Sequence, residues 1–190
     1  MAKKDQQSKS RRSWPKRLLS VLAALLILTG LGLIAGTIFF PDEAEKIAGE
    51  VRIATGQTIM KAKGQAHPII RLGVRGGKRE LDRCDGSFIE MASYETEGLQ
   101  PVFAAHNNCK GEVLLPLKIG ELVEVKGHGL HVITDIRYTK KTWSTTNDIM
   151  DMTGDFIVQS CFYGENRMKF IGLTPVGAEV STSTPTPSAD

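Results

Sequence analysis

The sequence has no pair of histidine or cysteine residues at metal-ligand spacing, and its folded part has no basic helix with interleaved aromatic residues. The first absence argues against a zinc site, because such sites draw on closely spaced ligands. The second argues against nucleic-acid binding, which needs a basic face with stacking side chains. We therefore expect no metal, no other cofactor and no nucleic-acid partner. Hydrophobic residues make up 41% of the chain and charged residues 24%, which is typical of a foldable domain.

Charge is also absent from residues 18–40, a run of 23 residues. A helix of this length crosses a hydrocarbon core of roughly 30 Å. The apolar core of a cleaved signal peptide, the alternative, is only about 7–15 residues long. The basic residues before the run predict an uncleaved signal anchor with its N-terminus in the cytoplasm and the rest of the chain at a bacterial cell surface. These residues are Lys3, Lys4, Lys9, Arg11, Arg12, Lys16 and Arg17.

Composition changes along the chain predict a division into five parts. After the anchor, the mixed charged and small residues of 41–66 indicate an extracytoplasmic stalk, with a short helix over residues 44–54. Short apolar runs separated by turn residues then indicate an all-β sandwich or barrel with short helices. The five parts are a basic cytoplasmic tail (1–17), a transmembrane signal anchor (18–40), the stalk (41–66), a β-domain (67–176) and a disordered Ser/Thr/Pro tail (177–190).

The chain has three cysteines, so at least one is unpaired within an exported domain. Cys84 and Cys109 both lie in polar loops, whereas Cys161 follows an apolar strand. We therefore propose a disulfide between Cys84 and Cys109 and a free thiol at Cys161. The alternative, two unpaired loop thiols, stays open, because a sequence alone does not fix connectivity.

Three side chains at predicted strand ends could form a cysteine acyl-transfer site. Cys161 ends the strand 156–160, and a thiolate there would be a nucleophile. His106 ends the apolar strand 99–105, and its imidazole would be held on a rigid base, as a general acid or base requires. Arg167 opens the last strand and could donate hydrogen bonds to an oxyanion. Taken singly, Cys161 has a simpler interpretation as a buried structural cysteine.

The order of these residues resembles the sortase family of membrane-anchored bacterial cysteine transpeptidases. Members have a histidine after an apolar strand, a Leu-x-x-Gly-acid-x-Val strand, a Leu-x-Thr-Cys strand end and an arginine on the next strand. The corresponding segments are His106, residues 117–125, residues 158–161 and Arg167. The chain departs from this pattern in having Ser160 before the cysteine and a short loop between Cys161 and Arg167.

The resemblance implies a closed eight-stranded β-barrel and a transpeptidase reaction. Cys161 would form a thioester with a C-terminal sorting motif of surface or pilin proteins, with His106 and Arg167 as its catalytic partners. Ser160 and Asn107, beside two of these residues, would bind substrate. Residues 130–138 and 139–152 would wall the groove. An amine of a cell-wall precursor or a pilin lysine would accept the acyl group. The alternatives are a catalytically inactive membrane-anchored binding or assembly module and a hydrolase that uses water.

Overall fold

The computed structural model describes residues 14–142 and 144–177, with side chains from residue 18 onward. It divides the chain into two compact units, residues 1–44 and 45–190. The predicted basic tail lies largely outside the described residues, and the predicted Ser/Thr/Pro tail almost entirely so.

The first unit contains the helix α1 (Trp14–Phe39). Its segment Leu18–Phe39 has a mean hydropathy of 2.6 and none of its residues is buried. Length and composition are those of a membrane anchor or a signal sequence, so the predicted apolar helix is present. Helix α2 follows (Pro41–Ala62), and it is longer than the short helix expected. Proline at its first position, acidic residues in the first turn and Lys61 in the last suit the helix dipole.

The second unit is built on a nearly closed, mixed eight-stranded β-barrel, which confirms the predicted architecture of the domain. The strand order is β1-β5-β6-β8-β7-β4-β3-β2. The edge strands β1 and β2 are separated in sequence by Arg71 alone, so one short segment bends there and supplies both edges. The strands are β1 (Ile69–Ile70), β2 (Leu72–Gly76), β3 (Phe88–Met91), β4 (Val102–Ala104), β5 (Leu122–Val125), β6 (Gly129–Thr139), β7 (Phe156–Cys161) and β8 (Met168–Pro175).

Short helical turns connect the strands on the described part of the chain. Helix α3 (Lys78–Leu81) lies between β2 and β3, and a 3-10 turn over Gly111–Leu114 follows β4. Further 3-10 turns cover Ala92–Tyr94 and Thr146–Asp148.

Alternation along β7 separates two hydrophobic clusters, one on each face of the sheet. Phe156 and Val158 belong to the larger cluster, here called the barrel core. Ile157 belongs to the smaller one, here called the outer cluster. Because β7 is buried on both faces, its apolar residues 156–158 follow one another instead of alternating with polar ones. The outer cluster consists of Val102, Ile149, Met152, Ile157, Met168 and Phe170, with Tyr94, Leu99 and Cys161 packed against it.

Candidate active site

The candidate site lies at the end of two neighbouring parallel strands. β4 and β7 pair with Ala104 opposite Gln159, and the Ala105 amide donates a hydrogen bond to the Gln159 carbonyl at 3.1 Å. His106 and Cys161 each lie two residues beyond this pair. Cys161 is the last residue of β7, and His106 lies in the loop after β4. Since parallel strands bring equivalent ends to one edge, both residues lie at the same edge of the barrel.

Cys161 is a free, partly buried cysteine. It packs against the outer cluster, and its Sγ lies 3.9 Å from Nε2 of Gln159. Burial raises the pKa of the thiol above its usual value, with nearby Lys141 lowering it and Glu45 raising it. At neutral pH the resting group is therefore a thiol rather than a thiolate, and a nucleophilic role requires transfer of its proton to a partner.

The His106 ring is held by a carboxylate from another loop. Its Nε2 lies 2.9 Å from Oδ1 of Asp82, and 40% of the histidine side chain is exposed. The main chain is fixed as well, because the His106 carbonyl accepts hydrogen bonds from the amides of Cys109 at 2.9 Å and Gly111 at 3.0 Å. No hydrogen bond between His106 and Cys161 is recorded for the described residues.

Arg167 lies on the other face of the β7–β8 hairpin. Cys161 pairs with Met168, and the Phe162 amide donates to the Arg167 carbonyl at 2.9 Å. Arg167 therefore lies opposite Phe162, and its side chain points to the face of the hairpin opposite that of Cys161. Its guanidinium carbon lies 3.9 Å from the Phe162 ring centroid, and its Nε lies 2.9 Å from a carboxylate oxygen of Glu165. The register does not bring Arg167 to the thiol, and its catalytic role stays a prediction.

Of the two residues predicted to bind substrate, Ser160 is buried and Asn107 is partly exposed. Ser160 has no exposed surface, and its hydroxyl has no hydrogen-bond partner among the described residues. A Cβ at Gly111 would overlap the Ser160 hydroxyl and the His106 carbonyl, so only glycine fits there. The carbonyl of Asn107 accepts a 2.6 Å hydrogen bond from the Tyr163 hydroxyl. The Ser160 hydroxyl therefore lies close to Gly111 in the loop that follows His106, and the substrate-binding roles of Ser160 and Asn107 stay predictions.

A disulfide joins Cys84 to Cys109, with their Cα atoms 5.0 Å apart. It links the loop after α3 to the loop after β4. Asp82 and His106 belong to these two loops, and the sequence analysis did not identify Asp82. The disulfide proposed from the sequence could have pointed to Asp82, because a bond between Cys84 and Cys109 brings the neighbouring residues of both loops together.

Helix α2 also contributes to this edge of the barrel, which the interpretation as a stalk did not anticipate. Gly49 is buried against the Tyr163 ring, where any Cβ would overlap ring atoms. Arg52 pairs through Nε with Glu112 at 3.1 Å and donates from Nη2 to the Asn108 carbonyl at 2.7 Å. Together with the effect of Glu45 on the thiol pKa, these contacts make α2 part of the wall around the site.

The segments predicted to wall a groove are β6 and the connection from β6 to β7. Arg137 on β6 pairs across to Phe170 of the outer cluster and holds the Asp151 carboxylate with two bonds of 3.0 and 3.2 Å. It also donates to the Asp148 carbonyl at 2.9 Å. These bonds fasten the segment between β6 and β7 over a cleft of about 590 Å³.

Within residues 14–142 and 144–177, no group of three or more histidine, cysteine, aspartate or glutamate side chains could hold a metal ion. His131 is a core residue, with its Nδ1 3.1 Å from the Gly129 carbonyl and its ring against Phe156. What the site offers chemically is a thiol and an imidazole–carboxylate pair at one edge. Comparison with protein-family models, with curated proteins and with solved structures gave no match.

Proposed function

We propose that this chain is a sortase-like cysteine transpeptidase, with Cys161 as nucleophile and His106 as proton donor and acceptor. The observation that carries the proposal is the parallel pairing of β4 with β7, because the segments that follow it bring residues 106 and 161 to one edge of the barrel. The eight-stranded barrel and the apolar N-terminal helix agree with the resemblance seen in the sequence.

The reaction follows from the properties of the two groups. Cys161 gives its proton to His106 and attacks a peptide carbonyl carbon, forming a tetrahedral intermediate. The C–N bond breaks as His106 protonates the departing amine, which leaves a thioester on Cys161. An incoming amine then attacks the thioester, gives its proton to His106 and releases the Cys161 thiolate as the new amide forms. The scheme balances without a metal, an oxidant or a reductant.

The proposed substrate is an extended segment near the C-terminus of a surface or pilin protein. The acceptor is an amine from a cell-wall precursor or from a pilin lysine. The apolar outer cluster beside Cys161 and the fastened segment between β6 and β7 support a groove for an extended chain. In this arrangement Arg167 would stabilise the oxyanion only after its guanidinium leaves Glu165 and Phe162.

We further propose that α1 anchors the chain in the cell membrane, with the N-terminus in the cytoplasm and the barrel outside. The basic residues that precede the apolar segment support this orientation. The Cys84–Cys109 disulfide supports an exported barrel, because disulfides persist in oxidising compartments and are rare in the cytosol.

Trapping of the thioester tests the proposal. The full chain in detergent micelles is incubated with a library of peptides ending in varied sorting-type motifs, and hydroxylamine is added to convert any thioester to a hydroxamate. We expect mass spectrometry to detect hydroxamate with the wild-type protein and with H128A, and none with C161A or H106A. His128 is an exposed turn residue and serves as the matched control for His106. If C161A forms as much hydroxamate as the wild type, the proposal is wrong.

A second candidate function is a membrane-anchored binding or assembly module with an inert cysteine. Two observations favour it: the raised pKa of the Cys161 thiol and the position of Arg167 on the opposite face. Alkylation by iodoacetamide at pH 7 separates the candidates, since Cys161 is the free thiol of the chain. Rapid alkylation that is lost in H106A favours the enzyme, whereas slow alkylation that is unaffected by H106A favours the module.

A further inference from the structure

A carboxylate lies against the proposed proton-transfer residue. Asp82 Oδ1 is 2.9 Å from Nε2 of His106, and the second carboxylate oxygen contacts the Lys78 ammonium. The carboxylate is ionised at neutral pH, because the hydrogen bonds from Lys78 and then His106 hold the pKa of Asp82 below its usual value. An ionised carboxylate at this distance fixes the orientation of an imidazole ring and stabilises its protonated form.

The two loops that carry this pair are joined covalently. Asp82 lies two residues before Cys84, and His106 lies three residues before Cys109, so the disulfide closes the same gap that the hydrogen bond spans. Cys84 adopts a left-handed backbone conformation with φ 55°, which turns the chain sharply after Asp82. Cys109 is buried, and its amide returns to the His106 carbonyl. The Asp82–His106 pair is therefore held by the disulfide and by main-chain hydrogen bonds as well as by its own side-chain hydrogen bond.

The neighbouring charges have other partners. In the same loop, Asp85 Oδ1 accepts bonds from the amide and hydroxyl of Ser87, and Glu80 Oε2 accepts from the Gly77 amide at 3.0 Å. Arg83 lies 3.8 Å from Glu80. Among the described residues, Asp82 is thus the carboxylate that the loop directs at His106.

We propose that Asp82 is a positioning residue for His106, with the Cys84–Cys109 disulfide as the brace that keeps the two together. One ring nitrogen bonds to Asp82, and the other is left for the thiol and the departing amine. The contact between Asp82 and His106 is seen in the structure, whereas a role for it in catalysis rests on the proposed acyl transfer.

The first experiment needs no substrate. The imidazole of His106 is titrated by NMR in the full chain in detergent micelles, with its signal assigned by loss in H106A. In D82N the midpoint should move to lower pH, because the variant lacks the negative charge that stabilises the imidazolium. D82E should restore much of the shift, and D85N, which alters a carboxylate bonded to Ser87, should leave the midpoint in place. An unchanged midpoint in D82N would overturn the inference.

The disulfide is examined by the same titration. In C84A/C109A the midpoint should move in the same direction as in D82N, because the loops separate and the carboxylate is no longer held at the ring. A midpoint equal to that of the wild type would show that the disulfide does not brace the pair. Circular dichroism of each variant confirms that the barrel is folded before its titration is interpreted.

The second experiment uses hydroxamate formation with the peptide library. D82N should slow the reaction about ten- to a hundredfold, and the limb of the pH–rate profile that follows His106 should move to lower pH. D82E should recover part of the rate. A wild-type rate and profile in D82N would contradict a positioning role. If the wild-type protein forms no hydroxamate, the proposed function has failed, and the NMR titration still decides whether Asp82 holds the ring.

Discussion

At the residue scale, two groups on opposite faces of the β7–β8 hairpin are shifted by burial in opposite senses. Burial raises the pKa of the Cys161 thiol and lowers the pKa of Lys169 from 10.5 to about 8. Both shifts favour the uncharged form, as desolvation requires. For Cys161 the consequence is chemical, since the thiol needs a proton acceptor. For Lys169 the consequence is a pH-dependent cost to stability.

Lys169 is 1% exposed. Its ammonium donates to the carbonyls of Leu115, at 3.0 Å, and Leu117. Desolvation is the main cause of its lowered pKa, opposed by Glu121 and reinforced by Arg167. Between about pH 8 and 10.5 the unfolded chain binds more protons at this residue than the folded chain, so stability rises with pH across that window. Below about pH 8 the folded state bears the full free-energy cost of burying the charged Lys169 ammonium.

We predict that the free energy of unfolding attributable to Lys169 rises by about 3 kcal/mol between pH 8 and 10.5. Chemical denaturation of the full chain in micelles at several pH values measures it, as the difference between the wild type and K169M. Taking the difference removes the opposing contributions of Tyr94, Tyr163 and Cys161, whose raised pKa values make the folded state lose stability at high pH. A difference that stays flat with pH would contradict the prediction.

The limits of sequence reasoning are clearest at single residues. Cys161 and His106 could be singled out because each ends an apolar strand, and strand ends are local features of the sequence. Asp82 could not, because its pairing with His106 depends on a loop that returns across 24 positions. The burial of Ser160 was not predicted either. Its position beside Cys161 suggests exposure, whereas alternation along β7 turns it inward.

At the element scale, the β7–β8 hairpin decides what Arg167 can do. The register that pairs Cys161 with Met168 turns Arg167 to the other face. Its partners there are the Phe162 ring and the Glu165 carboxylate. These contacts brace the hairpin turn, and contacts of this exposed kind contribute at most about 1 kcal/mol each.

We therefore predict that R167A slows hydroxamate formation by less than about tenfold, whereas loss of an oxyanion donor costs roughly a hundred- to a thousandfold. The measurement is the rate with the peptide library. R137A is unsuitable as a control, because Arg137 holds the segment proposed to wall the groove. R75A is better matched, because Arg75 lies on the edge strand β2 and forms an exposed ion pair with Glu95, as Arg167 does with Glu165. A hundredfold loss in R167A alone would show that the guanidinium reaches the reacting carbonyl.

Strand prediction succeeded where burial pattern and turns are unambiguous, and it failed where tertiary contacts decide. β7 and β8 follow from the short apolar runs that they contain, and β6 follows from alternation within residues 129–139. The apolar run 68–74 has no turn residue at position 71, yet the chain bends at Arg71 and supplies both edges of the barrel. The packing of α2 was not predictable, because it depends on one glycine meeting Tyr163, a residue more than 100 positions away.

We predict that G49L displaces α2 from the barrel, because a side chain at Gly49 overlaps the Tyr163 ring. Amides of residues 45–62 should then exchange hydrogen faster, and iodoacetamide should alkylate Cys161 several-fold faster as its cover is lost. G56L is the matched control, since Gly56 is an exposed position on the same helix with open space around it. Equal exchange and alkylation in G49L and the wild type would contradict a covering role.

At the scale of the whole molecule, two features bear on the cellular location of the chain: the apolar helix and the disulfide. The segment Leu18–Phe39 has the length and composition of a membrane anchor or a signal sequence. The disulfide between Cys84 and Cys109 favours an oxidising compartment for the barrel. An anchor with a cytoplasmic N-terminus satisfies both, and so does a cleaved signal sequence, which makes the fate of the first residues the decisive observation.

We predict that a membrane-impermeant maleimide labels H128C in intact bacterial cells, and labels S8C only after the cells are permeabilised. Both variants are made in the C161A background, so that the added cysteine is the free thiol of the chain. His128 lies in an exposed turn of the barrel, and Ser8 belongs to the basic segment before the apolar run. Labelling of H128C only after permeabilisation would place the barrel in the cytoplasm and contradict export. A shortened chain that has lost Ser8 would instead show that the apolar segment is cleaved, and the anchor would have to be abandoned while the exported barrel is kept.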